Sequence, residues 1–233
     1  ETRDVRYAAA LDRFALKWKK HEISSRAFAL RARLALEAGD ALLAWTVAQK
    51  GAAAYPESVG AAQCRNLVSA VEAPSVAFAA EQVWCEPWPE MEITYKSLTA
   101  VRFRAVPVTF EEMYKDRSRY AYQNDATGIS LLKRRPAKIW DVALPPAQDY
   151  KEHTYRSQVP DDLQAGLYAV FASADGAYVK DGKPVAWGLF RVSTLALVMN
   201  RESNREGGFV LTAREGEPVA GARVQVWRYD RKD

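Results

Sequence analysis

Few residues in this chain have the types and spacing that chemistry requires. The two histidines, His21 and His153, are far apart in sequence and have no partners at ligand spacing. A metal site draws three or four converging His, Cys, Asp or Glu ligands, so both read as surface histidines. No Gly-x-Ser-x-Gly elbow is present to expose a serine nucleophile. Gly182-Lys183-Pro184 lacks the Gly-x-x-x-x-Gly-Lys-Ser/Thr frame of a phosphate loop and reads as a turn. In Glu111-Glu112 and Asp161-Asp162 the carboxylates are sequence neighbours, so their side chains diverge and read as solvated. No catalytic, cofactor-binding or metal-ligating residue is assigned, and no enzyme activity is expected.

The cysteines and tryptophans carry more. Cys64 and Cys85 are the 2 cysteines. A bridge between them would close a loop of about twenty residues, worth ~3 kcal/mol by chain entropy. The other reading is two unpaired buried thiols. Of the 7 tryptophans, Trp84, Trp88, Trp140, Trp187 and Trp227 fall in or beside strands. Such rings serve as core or interface residues. Exposed, they would stack on sugars, which keeps a surface adhesin or glycan-binding module as the alternative reading.

Composition narrows the partners. The hydrophobic fraction is 48% and the charged fraction 27%, as in ordinary globular domains. No apolar run reaches the roughly 18–20 residues a membrane span needs. Net charge is +4, from 33 Lys and Arg against 29 Asp and Glu. The basic runs are Lys17-Trp18-Lys19-Lys20, on a helix whose aromatics should face inward, and Lys133-Arg134-Arg135-Pro136-Ala137-Lys138, which reads as a loop. Neither groups basic and aromatic residues on one face, so no nucleic-acid partner is expected.

The elements that would hold these residues divide by period. Tyr7, Leu11, Phe14 and Trp18 recur at spacings of a single helical stripe. Ser24-Ser25 would cap a second helix with Phe28, Leu30, Leu34 and Leu36, and Gly39-Asp40 would close it and start a third. The third helix runs to Tyr55-Pro56, and Glu57-Ser58 opens a fourth with Val59, Ala62, Leu67 and Val71. Short connections imply antiparallel hairpins. The small residues before the exit proline give them a tetratricopeptide-like cast.

From Pro74 the period becomes two. Strands are expected over 76–83, 91–95, 101–108, 138–143, 153–158, 167–174 and 186–192, a seven-stranded immunoglobulin- or fibronectin-III-like sandwich. Residues 110–130, with Met113, Tyr114, Tyr120 and Tyr122, read as an insertion containing a short helix. Both faces of Leu167–Ala172 are apolar, as in a central strand. A second sandwich opens at 195–199 and continues through 209–213, a turn at 214–221, and a strand in which Ala222, Val224 and Val226 alternate with polar residues beside Trp227. Two or three strands make no stable sandwich, so the sequence is expected to end inside a domain. The fold class is multidomain, α then all-β: a helical hairpin domain over 1–73, a sandwich over 74–194, and the incomplete start of a second over 195–233.

The order of several short motifs then matters. Tyr55-Pro56-Glu57-Ser58-Val59-Gly60 leads through Cys64 into Ala73-Pro74-Ser75-Val76. Ile93-Thr94-Tyr95-Lys96-Ser97-Leu98, Leu163-Gln164-Ala165-Gly166-Leu167-Tyr168 and Phe190-Arg191-Val192-Ser193-Thr194-Leu195 follow, and Pro218-Val219-Ala220-Gly221-Ala222-Arg223-Val224 ends the series. In this order they resemble the N-terminal part of a bacterial alpha-2-macroglobulin family protein of the Bacteroidetes type, with a helical lead-in before its macroglobulin (MG) domains. The resemblance covers most of the chain.

The resemblance implies a large, secreted or membrane-anchored endopeptidase inhibitor that traps proteases after they cut a bait region. In many members a Cys-x-Glu-Gln thioester then captures the protease. Cys85-Glu86-Pro87-Trp88 departs from that motif, so no thioester is expected here, and no bait region is located. The implied partners are proteases, met by the full-length protein, and further macroglobulin domains of the same chain. Any membrane or lipid anchor would lie outside this stretch. The implied location, periplasm or cell surface, is oxidising and favours the Cys64–Cys85 disulfide. No cofactor is implied.

Overall fold

The structure is a computed structural model and describes residues 2–115, 125–181, 183–202 and 205–225. Tyr120, Tyr122, Gly182, Val226 and Trp227 lie outside the described residues. Helices come first and strands follow. The chain forms two compact units. Glu1–Ala77, Ile93–Val101 and Asp141–Tyr155 make the first; Phe78–Glu92, Arg102–Trp140 and Arg156–Asp233 make the second.

The first unit contains α1 (Thr2–Lys17), α2 (Ile23–Glu37), α3 (Ala41–Ala54) and α4 (Val59–Glu72). Two of the expected caps form. The Asp40 side chain accepts from Leu43 N at 3.0 Å, and Ser58 Oγ accepts from Ala61 N at 3.1 Å. Each satisfies one of the orphan donors of a first helical turn. Gly39, at φ 79°, supplies the left-handed residue between α2 and α3.

The expected cap at Ser24-Ser25 does not form. Helix α2 starts earlier, and both serines lie inside its first turn, 1% and 0% exposed. Small residues are needed there because α4 crosses at that point. A second expectation also fails. Of the stripe Tyr7–Leu11–Phe14–Trp18, only Leu11 is buried; Tyr7, Phe14 and Trp18 are exposed. The buried contact of α1 consists of Leu11 and Ala15 against Ala27 and Phe28 of α2. That contact is too narrow to cover a full stripe.

Alanine, not leucine, fills the helical core. Ala29, Ala32, Val47, Ala48 and Cys64 form its centre, while Leu30, Leu36 and Leu42 stay exposed. Small side chains let helix axes approach closely, and the long residues are displaced to the perimeter.

The strands begin with β1 (Ser75–Ala79), β2 (Val83–Trp84), β3 (Glu90–Lys96) and β4 (Ala100–Val108). After α5 (Phe110–Lys115) and α6 (Asp125–Leu132) come β5 (Lys138–Ala143), β6 (His153–Gln158), β7 (Gly166–Ser173), β8 (Val179–Lys180), β9 (Lys183–Pro184) and β10 (Ala186–Val192). One sheet has three strands in the order β1-β3-β6; the other has five in the order β2-β10-β7-β4-β5. The expected first strand at 76–83 is therefore two strands in different sheets. The break at residues 80–82 lets β2 pair parallel to β10, with Val192 opposite Trp84.

Register explains why β7 is apolar throughout. Ala105 lies opposite Val170 and Phe103 opposite Ala172, while Phe190 of β10 lies opposite Tyr168. On that face Phe78 packs edge-on to Phe103, with ring centroids 5.5 Å apart, and 5.8 Å from Phe190. The alternate residues Ala169 and Phe171 form a separate cluster with Val106, Val108 and Leu131 of α6. Period-two alternation thus serves two cores, one on each side of a central strand.

The chain closes with a hairpin of β11 (Leu195–Glu202) and β12 (Arg205–Thr212), paired from Leu195–Thr212 to Glu202–Arg205. Beyond it, Leu211 bridges to Pro218. The strand expected from Ala222 is not formed in residues 222–225. The backbone of 217–219 is already bonded to β12, through Thr212 N to Glu217 O and Val219 N to Val210 O, both 2.8 Å.

Candidate functional site

The residues singled out for chemistry are dispersed. His21 sits at the α1–α2 corner, where its Nδ1 accepts from Ile23 N at 3.2 Å. His153 starts β6, with Nε2 2.8 Å from Asp149 Oδ1. That hydrogen bond, with a second from Lys151 N, holds the Asp149 carboxyl below the usual carboxylate range. The two form a surface hydrogen bond. Among the described residues no group of three His, Cys, Asp or Glu is placed to hold a metal ion.

All four residues of the carboxylate pairs are exposed, and one member of each pair also has a partner. Glu112 Oε2 accepts from Thr109 N and from Arg134 Nη1, both at 3.0 Å, while Thr109 Oγ1 accepts from Glu112 N at 3.3 Å. This is a capping box at the start of α5, legible in the Thr-x-x-Glu spacing. The Arg134 bond, then the Thr109 bonds, bring the Glu112 carboxyl down to about 2. Asp162 is paired with Lys138, which lowers its carboxyl in the same way. Neither carboxylate shares a proton with a second acid.

The two cysteines are free thiols in the structure, so the Cys64–Cys85 bridge is not formed. Cys64 is fully buried among α2, α3 and α4, and its thiol donates to Ser25 O at 3.6 Å. Its environment is complete without a second sulfur. Burial pushes the thiol up to about 11, with the nearby Arg65 opposing weakly. It is a packing residue, not a nucleophile. Cys85, just after β2, is half-buried.

Three of the strand tryptophans, Trp84, Trp140 and Trp187, are engaged internally. Trp84 is fully buried, stacks on Phe190 at 4.9 Å and donates from Nε1 to Glu81 O at 2.9 Å. Trp140 stacks on Phe103 at 5.2 Å and Trp187 on Phe171 at 5.7 Å. These ring faces are taken by other rings. Trp227 lies outside the described residues.

Two surfaces stand out instead. The first is the β11–β12 hairpin. Leu197 and Met199 project on one face, Val198 and Phe209 on the other, and all four are at least 49% exposed. A ribbon apolar on both faces has two surfaces that water does not favour. Arg214, just after β12, pairs with Glu86 at 2.8 Å and ties the hairpin's base to the loop after β2.

The second is the α1–α2 corner. Residues 16–23 are exposed without interruption. They include Leu16, Trp18 and Ile23 together with Lys17, Lys19 and Lys20. Phe14, Trp18 and His21 form a column of rings at 6.2 Å spacings, and Lys17 Nζ lies 5.8 Å from the Trp18 ring centre. The corner is not loose. Trp18 N bonds to Phe14 O at 3.0 Å, His21 N to Trp18 O at 2.8 Å, and Tyr55 OH donates to Lys19 O at 3.2 Å. A cleft of about 210 Å³ bordered by Ile23, Arg26 and Val59 opens beside it. Expecting inward-facing aromatics on α1 hid this surface. The signal was the alternation of Lys with Trp18 at the helix end.

No family model and no curated protein matches the chain. Among solved structures, it is similar to native alpha-2-macroglobulin from Escherichia coli spanning domains MG0-NIE-MG1, at TM-score 0.45 and 20% identity, over 63% of this chain and 47% of that one. It is also similar to a shorter piece of that protein spanning NIE-MG1, at TM-score 0.42 and 18% identity, over 64% of this chain and 74% of that one. The chain thus spans about half the length of the longer piece. These solved structures come from a bacterial alpha-2-macroglobulin, the family that the motif order resembles.

Proposed function

We propose that this chain is a non-catalytic scaffold module of a bacterial macroglobulin-like endopeptidase inhibitor. It would act outside the cytoplasm, as one link in a series of macroglobulin domains. The observation that carries this reading is the hairpin β11–β12. It follows β10 after a two-residue connection, and it leaves Leu197, Met199, Val198 and Phe209 each at least 49% exposed. We read a strand pair that leaves large apolar side chains this exposed as one that packs against further chain, as the first strands of a second sandwich would. The order of the sequence motifs supports the same reading.

In such a protein the module acts mechanically. Its helices and sheets position the domains that meet the protease, and its own side chains touch no scissile bond. Protease partners belong to the whole inhibitor. Among the described residues no helix is long and apolar enough to cross a membrane.

A protection assay on the full-length protein tests the reading. After incubation with a broad-specificity protease, the protease should still cleave a small peptide substrate but lose activity on a large protein substrate. Equal activity on both substrates would overturn the trapping role.

A further inference from the structure

We propose that the α1–α2 corner is a docking surface for anionic lipid, with Leu16, Trp18 and Ile23 entering the interface and Lys17, Lys19 and Lys20 binding the headgroup charge. The inference stands apart from the protease reading, because it rests on the first unit alone.

The argument begins with exposure. Leu16 is 71% exposed, Trp18 43%, Phe14 39% and Ile23 38%. Large apolar side chains left exposed at one helix corner carry a hydration cost that a partner would relieve. A concave protein groove would suit a regular helical stripe. Here Leu16, Trp18 and Ile23 flank a turn between two helices instead of forming one helical stripe, which suits a soft, continuous partner.

Charge selects the kind of partner. The eight residues 16–23 contain three lysines and one acid, Glu22. Lysine stems cover apolar surface while their ammonium groups reach outward, and tryptophan favours the boundary between hydrocarbon and headgroups. Basic residues interleaved with Trp, Leu and Ile are the composition of segments that lie in a membrane interface. Leu16 and Ile23 give a nucleic acid nothing to stack on, so lipid explains more of the corner than a soluble polyanion does.

Rigidity adds to this. The bonds Trp18 N to Phe14 O and Tyr55 OH to Lys19 O hold the turn in its exposed form. The apolar residues are displayed before any partner arrives, so little ordering entropy is lost on docking.

The test is co-sedimentation of the 233-residue chain with phosphatidylcholine vesicles, with and without about a third phosphatidylglycerol. Binding is expected to the anionic vesicles and to weaken in high salt. Replacing Lys17, Lys19 and Lys20 by Gln should lower the partition coefficient on the order of a hundredfold, at roughly fivefold per lysine. The pair Leu16→Ser and Trp18→Ala should lower it at least about tenfold with an unchanged melting temperature. Leu42→Ser, on an exposed site away from the corner, should not change it. The proposal fails if neither vesicle is bound. It also fails if the lysine variant binds normally, or if the Leu16/Trp18 pair binds normally while heparin competes fully, which would mark a general polyanion site.

Discussion

Gly60 and Ser25 meet so closely that a Cβ on Gly60 would lie 2.6 Å from the Ser25 carbonyl carbon. The obstacle is backbone, which cannot rotate away, so α4 crosses α2 at a point where only glycine fits. Gly60→Ala should therefore destabilise the protein by about 1–3 kcal/mol, as overpacking does. This is despite alanine's helix-propensity advantage of about 1 kcal/mol. Urea denaturation would measure it. Unchanged or increased stability would mean the helices do not approach this closely.

The Cys64 thiol should be inert in the native protein. Burial raises it from 9.0 to about 11. The neutral thiol is the form that folding favours, so its contribution to stability is complete below pH 9 and lost as the pH rises through about 11. Alkylation near pH 8 followed by mass measurement should show one label, on Cys85, in the native chain and two after unfolding. No label on either cysteine after unfolding without reductant would show a Cys64–Cys85 bridge instead.

The capping box at α5 has its own signature. Glu112 sits near 2, against an ordinary 4.5. A depressed carboxylate contributes stability above its unfolded value and loses it as pH falls through the folded one. That window runs from about 4.5 down to about 2. Glu112 is exposed, so the energy is small and the titration is the better readout. NMR titration of its carboxyl carbon should show the low midpoint, and Arg134→Ala should raise it toward the ordinary range. An ordinary midpoint in the unaltered chain would refute the pairing.

Phe103 and Phe209 should respond oppositely to truncation. Phe103 is fully buried between Phe78 and Trp140, so Phe103→Ala should cost about 3–5 kcal/mol. Phe209 is 65% exposed, and Phe209→Ser in this chain should change stability by less than about 0.5 kcal/mol. In a longer chain carrying the proposed further domain the same serine should cost as much as a core truncation, because there the hairpin would be covered. Differential scanning calorimetry of both proteins distinguishes the cases. A neutral Phe209→Ser in the long protein would count against a serial sandwich.

Much of the fold was legible because it depends on period. Strands β5, β6 and β10 fall where alternation places them, and the caps of α3 and α4 follow from Asp40 and Ser58. The apolar run in β7 predicted a strand covered on both sides, and α6 with Phe78 supplies the two covers. The candidate surface was less legible. Trp18 belongs to a helical stripe by spacing, yet spacing does not reveal how many neighbours a helix has.

The sequence alone determined the α-then-β order and the position of most strands, since each follows from local period and residue type. Tertiary structure decided which side chains are buried. It put small residues at the centre of the helical core, where Gly51 and Gly60 meet α2 closely, and left Leu30 outside, while the narrow contact of α1 left Trp18 exposed. It sent 76–83 into two sheets. It left Cys64 unbridged because α2, α3 and α4 already enclose the thiol. Burial depends on which elements meet across the fold, and a linear pattern of polar and apolar residues does not specify that.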